Sequence, residues 1–295
     1  MENQMKRPNL IIDVGMHDGQ DTAFYLAKGF DVVAIEANPG LVEAARDRFA
    51  SEIDSGRLQI FPVAIAEKAG TLPLAVCDEQ SIWSSMSDAF IERNESMAGV
   101  KYHYVDVPTQ TFESILEEVG VPHYLKVDIE GSDMLCVRAL KHLDSVPDFI
   151  SIESSVSSPP GSFDLVFEEL STLWELGYRR FAYVDQTKVP RHKPPNPPRE
   201  GRFVETKLTT NTTGLFGEEL PVRWETIDKA LRRGQALHRR YNLTGFGGQA
   251  TRIMQRTLPR PVFDFKDHPV TQRVVGVTAG LFGLFKWYDL HARLA

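Results

Sequence analysis

Two glycines and two acidic residues near the start of the chain have the types and the spacing of a ligand-binding turn. Gly15 and Gly19 follow a short apolar run, and Asp13 precedes the first glycine by two residues. Glycine lets the backbone turn sharply and approach a ligand closely, and the helix predicted to follow adds unpaired N–H groups. Glu36 lies 36 − 19 = 17 residues past the second glycine, where a carboxylate can accept hydrogen bonds from both ribose hydroxyls of an adenosine. The alternative is a tight strand-to-helix turn without a ligand.

The glycine spacing and the position of Asp13 separate two ligands that this turn could bind. The dinucleotide fingerprint is Gly-x-Gly-x-x-Gly, whereas this chain has Gly-x-x-x-Gly. An anion at Asp13 would repel a pyrophosphate, but it would attract the sulfonium and amino groups of S-adenosylmethionine (SAM). The pattern therefore favours SAM, and a nucleotide-dependent oxidoreductase is kept as an alternative function.

A second group of charged residues stands where a later strand pattern ends. Lys126, Asp128 and Glu130 alternate along the chain, so they would share one face while the strand lasts. Glu153 ends the next strand pattern. Charges at the carboxyl end of a central strand are costly unless they serve a ligand, so these residues indicate a working site. A helix N-cap with solvated charges is the alternative.

The apolar patterns predict alternating strands and helices, which would bring these charges to one edge of a mostly parallel sheet with helices on both faces. Strands are predicted at residues 10–14, 31–35, 57–65, 71–77, 102–107, within 123–131, at 148–153 and at 179–184, with 202–208 closing the sheet. Helices are predicted at residues 20–28, 39–50, 111–119, 132–140, 163–176 and 224–240. The stretch 287–292 is predicted as a packed cap or as part of a substrate pocket.

Composition is that of an ordinary globular protein, with 42% apolar and 25% charged residues in 295. That length allows one large domain or one domain with an extension. Cys77 and Cys136 provide neither a disulfide framework nor a zinc spacing, so a cytoplasmic protein is expected. The polar N-terminus runs directly into the first strand, and no signal peptide is predicted.

Charge is unevenly spread along the chain. From residue 221 onward there are 13 Lys and Arg and 5 Asp and Glu, a balance of +8, which leaves −7 − 8 = −15 for the remainder. A basic C-terminal region could bind an anionic acceptor or a membrane surface, or dock onto the acidic body.

The apolar stretch 274–287 is too short and too interrupted to span a membrane, and a core helix is favoured over one at a membrane interface. No nucleic-acid-binding motif is present, so no such partner is expected. A non-catalytic module that binds a membrane or a complex is a further alternative.

With these stretches in place, the chain resembles the FkbM family of SAM-dependent methyltransferases over roughly residues 9–185. Its first SAM motif resembles Asp13-Val-Gly-Met-His-Asp-Gly19, and its most distinctive signature resembles Leu125-Lys-Val-Asp-Ile-Glu-Gly131. Glu36 and Glu153 match the acids that end two strands. The chain departs from the family at residues 16–18, where small or amide residues are commoner, and at 111–113.

The resemblance implies a Rossmann-like class I methyltransferase fold of the α/β class. It also implies O-methylation of a sugar, glycolipid or natural-product acceptor. The pattern changes after Thr209, which predicts a SAM-binding domain at residues 1–208 and a C-terminal extension, 209–295, that is expected to cover the substrate site. The residues expected to bind SAM are Asp13, Gly15, His17, Asp18, Gly19, Glu36, Ala37, Ala64 and Asp128.

A hydroxyl acceptor must lose its proton, so a base should lie within hydrogen-bonding reach of it. The best candidates are Asp128 and Glu130, with Lys126 as an electrostatic or structural partner and His291 as an outsider. Glu153 and His17 are further candidates for the base. Asp128, Glu153 and Ser154 would also lie where some O-methyltransferases hold Mg²⁺, but we predict no metal.

Overall fold

The computed structural model describes residues 5–77, 84–86, 91–92, 100–129, 131–157, 163–244 and 286–295. In this part of the chain the strands are β1 (Lys6–Val14), β2 (Asp31–Ile35), β3 (Leu58–Phe61), β4 (Ala64–Ile65), β5 (Gly70–Cys77), β6 (Tyr102–Gln110), β7 (Val121–Val127), β8 (Phe149–Glu153), β9 (Arg180–Asp185) and β10 (Tyr288–Arg293). The helices are α1 (Gln20–Ala27), α2 (Pro39–Arg48), α3 (Ala50–Asp54), α4 (Phe112–Val119), α5 (Asp133–Ala139), α6 (Phe163–Glu175) and α7 (Ile227–Thr244).

Seven of these strands form one sheet in the order β3-β2-β1-β7-β8-β10-β9. The pairs from β3 to β8 are parallel, and β10 is antiparallel to both β8 and β9. This is the predicted Rossmann-like class I methyltransferase fold, and the prediction of an α/β fold with a mostly parallel sheet is confirmed. Strands β4, β6 and β5 form a separate, smaller sheet.

The last strand of the large sheet corrects two predictions. Residues 202–208 contain no strand, although they were expected to close the sheet. Strand β10 lies instead between β8 and β9, so the segment predicted as an extension supplies an internal strand. The predicted boundary at residue 208 therefore does not separate the sheet from the rest of the chain. Antiparallel pairing on both sides satisfies the backbone of β10, and its Leu290 and Ala292 are fully buried.

The two faces of the large sheet are covered differently. Helices α4, α5, α6 and α7 contribute to the apolar core on one face. On the other face, α1, α2 and α3 cover one half, and residues 186–222, which we call the cover segment, cover the rest. This segment has short 3₁₀ turns and otherwise irregular backbone. Its Phe216 is fully buried and stacks on Tyr124 of β7 with ring centroids 4.8 Å apart.

Helix boundaries follow local capping chemistry. Asn38 caps α2 by accepting a hydrogen bond from the Gly40 N–H, and Pro39 occupies the first turn. The predicted helix 39–50 is interrupted at Phe49, whose φ of −110° and ψ of 24° separate α2 from α3.

Among the described residues, no helix combines the length and apolar character that crossing a bilayer requires. Most of the apolar stretch 274–287 lies outside the described residues.

Candidate active site

The glycine turn lies between β1 and α1, as predicted, but its glycines are needed for packing within the protein. Gly15 has φ of 80°, and a Cβ there would lie 1.9 Å from the Asp128 carbonyl oxygen. Gly19 has φ of 75°, and its Cβ would lie 2.7 Å from the ring of Phe49. Any side chain at Gly15 would therefore separate the ends of β1 and β7, which lie side by side at this edge.

A buried ion pair lies directly beneath this turn. The Nζ of Lys126 lies 3.0 Å from Asp13 Oδ1 and donates a hydrogen bond of 2.6 Å to the Gly15 carbonyl oxygen. Thr22 of α1 donates from its hydroxyl to the other oxygen of Asp13, at 2.7 Å. Burial alone would lower the pKa of Lys126, but Asp13 and Asp128 raise it, so the side chain stays charged. Lys126 is therefore the structural partner of the turn, and its 4% side-chain exposure removes it from direct contact with an acceptor.

Glu36 lies at the end of β2 and holds the glycine turn through the backbone. Its Oε2 accepts a hydrogen bond from the His17 N–H and its Oε1 accepts one from the Asn38 N–H, both at 2.8 Å. Burial raises the pKa of Glu36, and these two bonds oppose that rise. Each carboxylate oxygen has a second lone pair for a ligand hydroxyl. His17 contacts Glu36 through its backbone N–H. Its φ of 52° is a left-handed conformation that is uncommon outside glycine, asparagine, aspartate and histidine.

The other predicted cofactor residues surround the turn. Asp18 is exposed, and its carboxylate accepts hydrogen bonds from the backbone and side chain of Gln20 at the start of α1. Ala37 follows Glu36 and packs against the cluster of apolar side chains that contains Ala64. These carboxylates fit a nucleoside with a cationic group. The Glu36 oxygens can accept hydrogen bonds from ribose hydroxyls, and the Asp13 carboxylate lies beneath the turn.

Three carboxylates lie in one row at the carboxyl edge of the large sheet. Asp289 of β10 is paired directly with Glu153 of β8. Extending the register one residue past the pair Val127 and Ile152 places Asp128 beside Glu153. Paired residues on neighbouring strands point to the same face, so the three side chains share one surface next to the glycine turn. The side chain of Asp128 is 46% exposed, and its backbone N–H is tied to the Val14 carbonyl oxygen at 2.9 Å.

The pKa values of one acid in this row, Asp289, and of a neighbouring acid, Asp133, are both raised. Burial raises the pKa of Asp289 well above its usual range, and Asp128 and Glu153 add to that effect. Burial also raises the pKa of Asp133, in the first turn of α5, with Asp128 and Glu153 again adding to it. Crowded acids whose pKa values are raised by burial and by one another are typical of sites that transfer protons.

The other predicted catalytic residues have different outcomes. His291 is only 2% exposed and lies inside the sheet, paired with Ser151 and Ala182. Burial lowers its pKa to about 3, so it is neutral, and its position corrects the prediction that it could serve an acceptor as a base. Glu130 lies outside the described residues. Sequence reasoning missed Asp21 and Asp133, whose signal was an acid in the first turn of a helix that follows a strand.

One of the three residues considered for a magnesium site makes a hydrogen bond within the protein. The Ser154 hydroxyl donates to the buried carboxylate of Glu169 at 3.0 Å. Among the described residues, no group of three or more histidine, cysteine, aspartate or glutamate side chains has a geometry that could hold a metal ion.

Comparison with known proteins identifies a domain at this site. The family model described as the methyltransferase FkbM domain matches residues 13–180, which are 168 of the 295 residues. No curated protein matches the chain.

Solved structures resemble parts of the chain. One is a methyltransferase FkbM from Methylobacillus flagellatus KT, with 16% identity and a TM-score of 0.39 over 62% of this chain and 41% of that chain. Another is a precorrin-6y C5,15-methyltransferase from Geobacter metallireducens GS-15, with 13% identity and a TM-score of 0.33 over 62% of this chain and 70% of the other. A third is an N-methyltransferase from Haemonchus contortus, with 10% identity and a TM-score of 0.39 over 98% of this chain and 49% of that one. The aligned part of the chain thus spans less than half of the first of these structures.

Proposed function

The chain belongs to the FkbM methyltransferase family, and from that membership and the site geometry we propose that it transfers the methyl group of SAM to a hydroxyl group. The proposed acceptor is a sugar, a glycolipid or a hydroxylated natural product. The observation that carries the proposal is the position of Asp128. Its backbone is fixed against Gly15 of the cofactor turn, while its carboxylate is exposed at the edge that also holds Glu153 and Asp289.

Three groups in this chain support SAM as the cofactor. Glu36 has free lone pairs for the ribose hydroxyls, and the N-terminal turn of α1 starts directly after Gly19. Asp13 and Asp128 place two anions around one buried cation, Lys126, so the turn retains negative charge. A net negative turn favours a sulfonium cation over a pyrophosphate.

The chain's own contribution to the reaction is orientation and proton transfer. Bound SAM supplies an electrophilic methyl group on a sulfonium that is a good leaving group. Holding the acceptor oxygen in line with that methyl carbon can supply much of the rate acceleration. Asp128 is the proposed base that accepts the hydroxyl proton, and the neighbouring acids Glu153 and Asp289 provide places for that proton to move.

The first test is calorimetric titration of the purified chain with S-adenosylhomocysteine (SAH) and, in parallel, with NAD⁺. We expect micromolar binding of SAH and no binding of NAD⁺, followed by methyl transfer from labelled SAM to a member of a glycan and glycolipid panel. Binding of NAD⁺ would favour the oxidoreductase alternative. Binding of SAH without transfer to any acceptor, together with co-sedimentation with anionic vesicles, would favour the non-catalytic module.

Asp128→Asn tests the base directly once an acceptor is found. We expect turnover to fall by roughly 10²- to 10⁴-fold, the usual contribution of a positioned base. The affinity for SAH should change little, because the backbone contact of Asp128 with the glycine turn is retained. Asp54→Asn, at an exposed position at the end of α3, is the matched control. Full turnover by Asp128→Asn would remove Asp128 from this role.

A cytoplasmic location and a peripheral membrane contact through the basic C-terminal region are part of the proposal. Both cysteines, Cys77 and Cys136, are buried and free, which suits a reducing compartment. Within the described part of the basic region, α7 contains Arg232, which has a side-chain exposure of 82%. Co-sedimentation with phosphatidylserine vesicles at low and high salt measures this contact, and binding should weaken as salt rises.

A further inference from the structure

A buried acid in the first turn of α1 has a partner in the cover segment. Asp21 is 5% exposed, and its Oδ2 accepts a hydrogen bond of 2.9 Å from the backbone N–H of Thr213. Its Oδ1 is buried and has no hydrogen-bond partner among the described residues. Burying a carboxylate costs free energy unless another group compensates its charge, so the position of Asp21 requires a physical explanation.

A second connection joins the same two regions nearer to the cofactor turn. The hydroxyl of Thr209 donates to Gln20 Oε1 at 2.8 Å. The amide nitrogen of Gln20 in turn donates to Asp18 Oδ2 at 2.7 Å. Residues 209–213 of the cover segment are therefore bound to the first turn of α1 through two adjacent side chains, and one of these leads directly to the glycine turn.

Asp21 also belongs electrostatically to the ion pair beneath that turn. The charged groups that act on it include Asp13 on β1, and Lys126 and Asp128 at the end of β7. Asp21 also interacts electrostatically with Tyr124 of β7 and with Asp289 of β10. On its own helix, Tyr25 feels the charge of Asp21. Burial raises the pKa of Asp21 to about 7; Lys126 and the Thr213 N–H oppose this, whereas Asp13 and Asp128 add to it.

We propose that Asp21 is a positioning residue that couples the cover segment to the glycine turn, and that its negative charge strengthens binding of the cationic cofactor. This inference rests on the proposed use of SAM. When Asp21 is ionised, the buried group holds one more negative charge beneath the turn. A ligand with a positive sulfonium gains from that charge, whereas SAH, whose thioether is neutral, gains much less. The amino and carboxylate groups of the two ligands are the same, so the ratio of their affinities isolates the sulfonium.

The experiment is calorimetric titration of the full chain with SAM and with SAH at pH 6, 7 and 8. Relative to SAH, SAM should bind about fivefold more weakly at pH 6 than at pH 8, for a one-unit coupling between ligand and acid. Asp21→Asn cannot ionise but keeps an oxygen for Thr213, so its ratio should be independent of pH. Asp164→Asn, an exposed first-turn acid of α6, should behave as the wild type.

Each outcome decides one question. A wild-type ratio that does not change with pH, or an equal pH dependence in Asp21→Asn, overturns the role of Asp21. If the wild type binds neither ligand at any pH, the proposed cofactor is wrong, and that failure is distinct from the first. If Asp21→Asn does not fold, amide hydrogen exchange of residues 209–216 in the wild type replaces it. SAH should slow this exchange, and an unchanged rate would overturn the coupling.

Discussion

The two edges of the large sheet both contain buried charges, but they use them differently. At the amino edge, Lys28 and Glu219 form a pair at 2.9 Å, and both side chains are fully buried. At the carboxyl edge, Lys126 faces Asp13 and Asp128, and further acids lie in the same row. Charges are balanced at the first edge and unbalanced at the second. An unbalanced group of anions is tolerated where a cation or a proton completes it, which is the property of a binding site.

The amino edge is a clamp for the cover segment. The Nζ of Lys28 also donates to the Arg202 carbonyl oxygen at 3.2 Å. Glu219 Oε1 accepts hydrogen bonds from the N–H groups of Arg199 and Glu200. His123 lies between Glu200 and Asp148, at 3.0 and 2.8 Å, so every charged group here has a fixed partner. These contacts fix irregular backbone that has few hydrogen bonds of its own.

The largest effect that we expect comes from Glu219→Gln at the amino edge. Removing one member of a buried pair leaves the Lys28 charge without compensation, which costs about 3–5 kcal/mol of unfolding free energy. Urea denaturation measures this loss, with Glu218→Gln as a control because Glu218 is half exposed and pairs with Arg293 at the surface. SAH affinity of the folded variant should be unchanged. A loss of SAH affinity with little loss of stability would make the amino edge part of the site and contradict the distinction.

At the carboxyl edge, we expect Glu36→Ala to reduce the affinity for SAH more than the stability of the fold. Loss of the hydrogen bonds to the ribose should weaken SAH binding by roughly 1.5–3 kcal/mol, about 10- to 150-fold. Calorimetry on protein shown to be folded by circular dichroism measures this change. Glu43→Ala, on the exposed face of α2, should bind SAH as the wild type does. Unchanged SAH affinity in Glu36→Ala would remove the ribose assignment.

The smallest effect is a pH dependence of stability at His123. Burial alone would lower its pKa, but the hydrogen bonds to Glu200 and Asp148 raise it above 6.5. Because the pKa of His123 is higher in the folded than in the unfolded protein, its charge contributes fully to stability below pH 6.5. This contribution is lost as the pH rises through the pKa of the folded protein. Urea midpoints between pH 6 and pH 9 should therefore fall more in the wild type than in His123→Gln. His142→Gln, at an exposed site, should keep the wild-type slope; an equal slope in His123→Gln would show that His123 is neutral.

Sequence reasoning succeeded where the information is local. The β-branched run before Gly15, the acid that follows β2 and Asp128 after β7 each lie within a short stretch, and the strands that position them are where they were predicted. Parallel strands all end at one edge, so placing these residues together followed from the strand predictions alone. The α/β class and the FkbM resemblance were available for the same reason.

The sequence could not show which distant segments would meet. Strand β10 comes from the end of the chain, and nothing in residues 288–293 indicates a position between β8 and β9. The pairing of Lys126 with Asp13, the burial of His291 and the bond from Thr213 to Asp21 all depend on that long-range packing. The residues that are expected to bind a cofactor lie within short sequence motifs. Which of their charges stay paired, protonated or exposed depends on burial and neighbours, which the folded chain alone supplies.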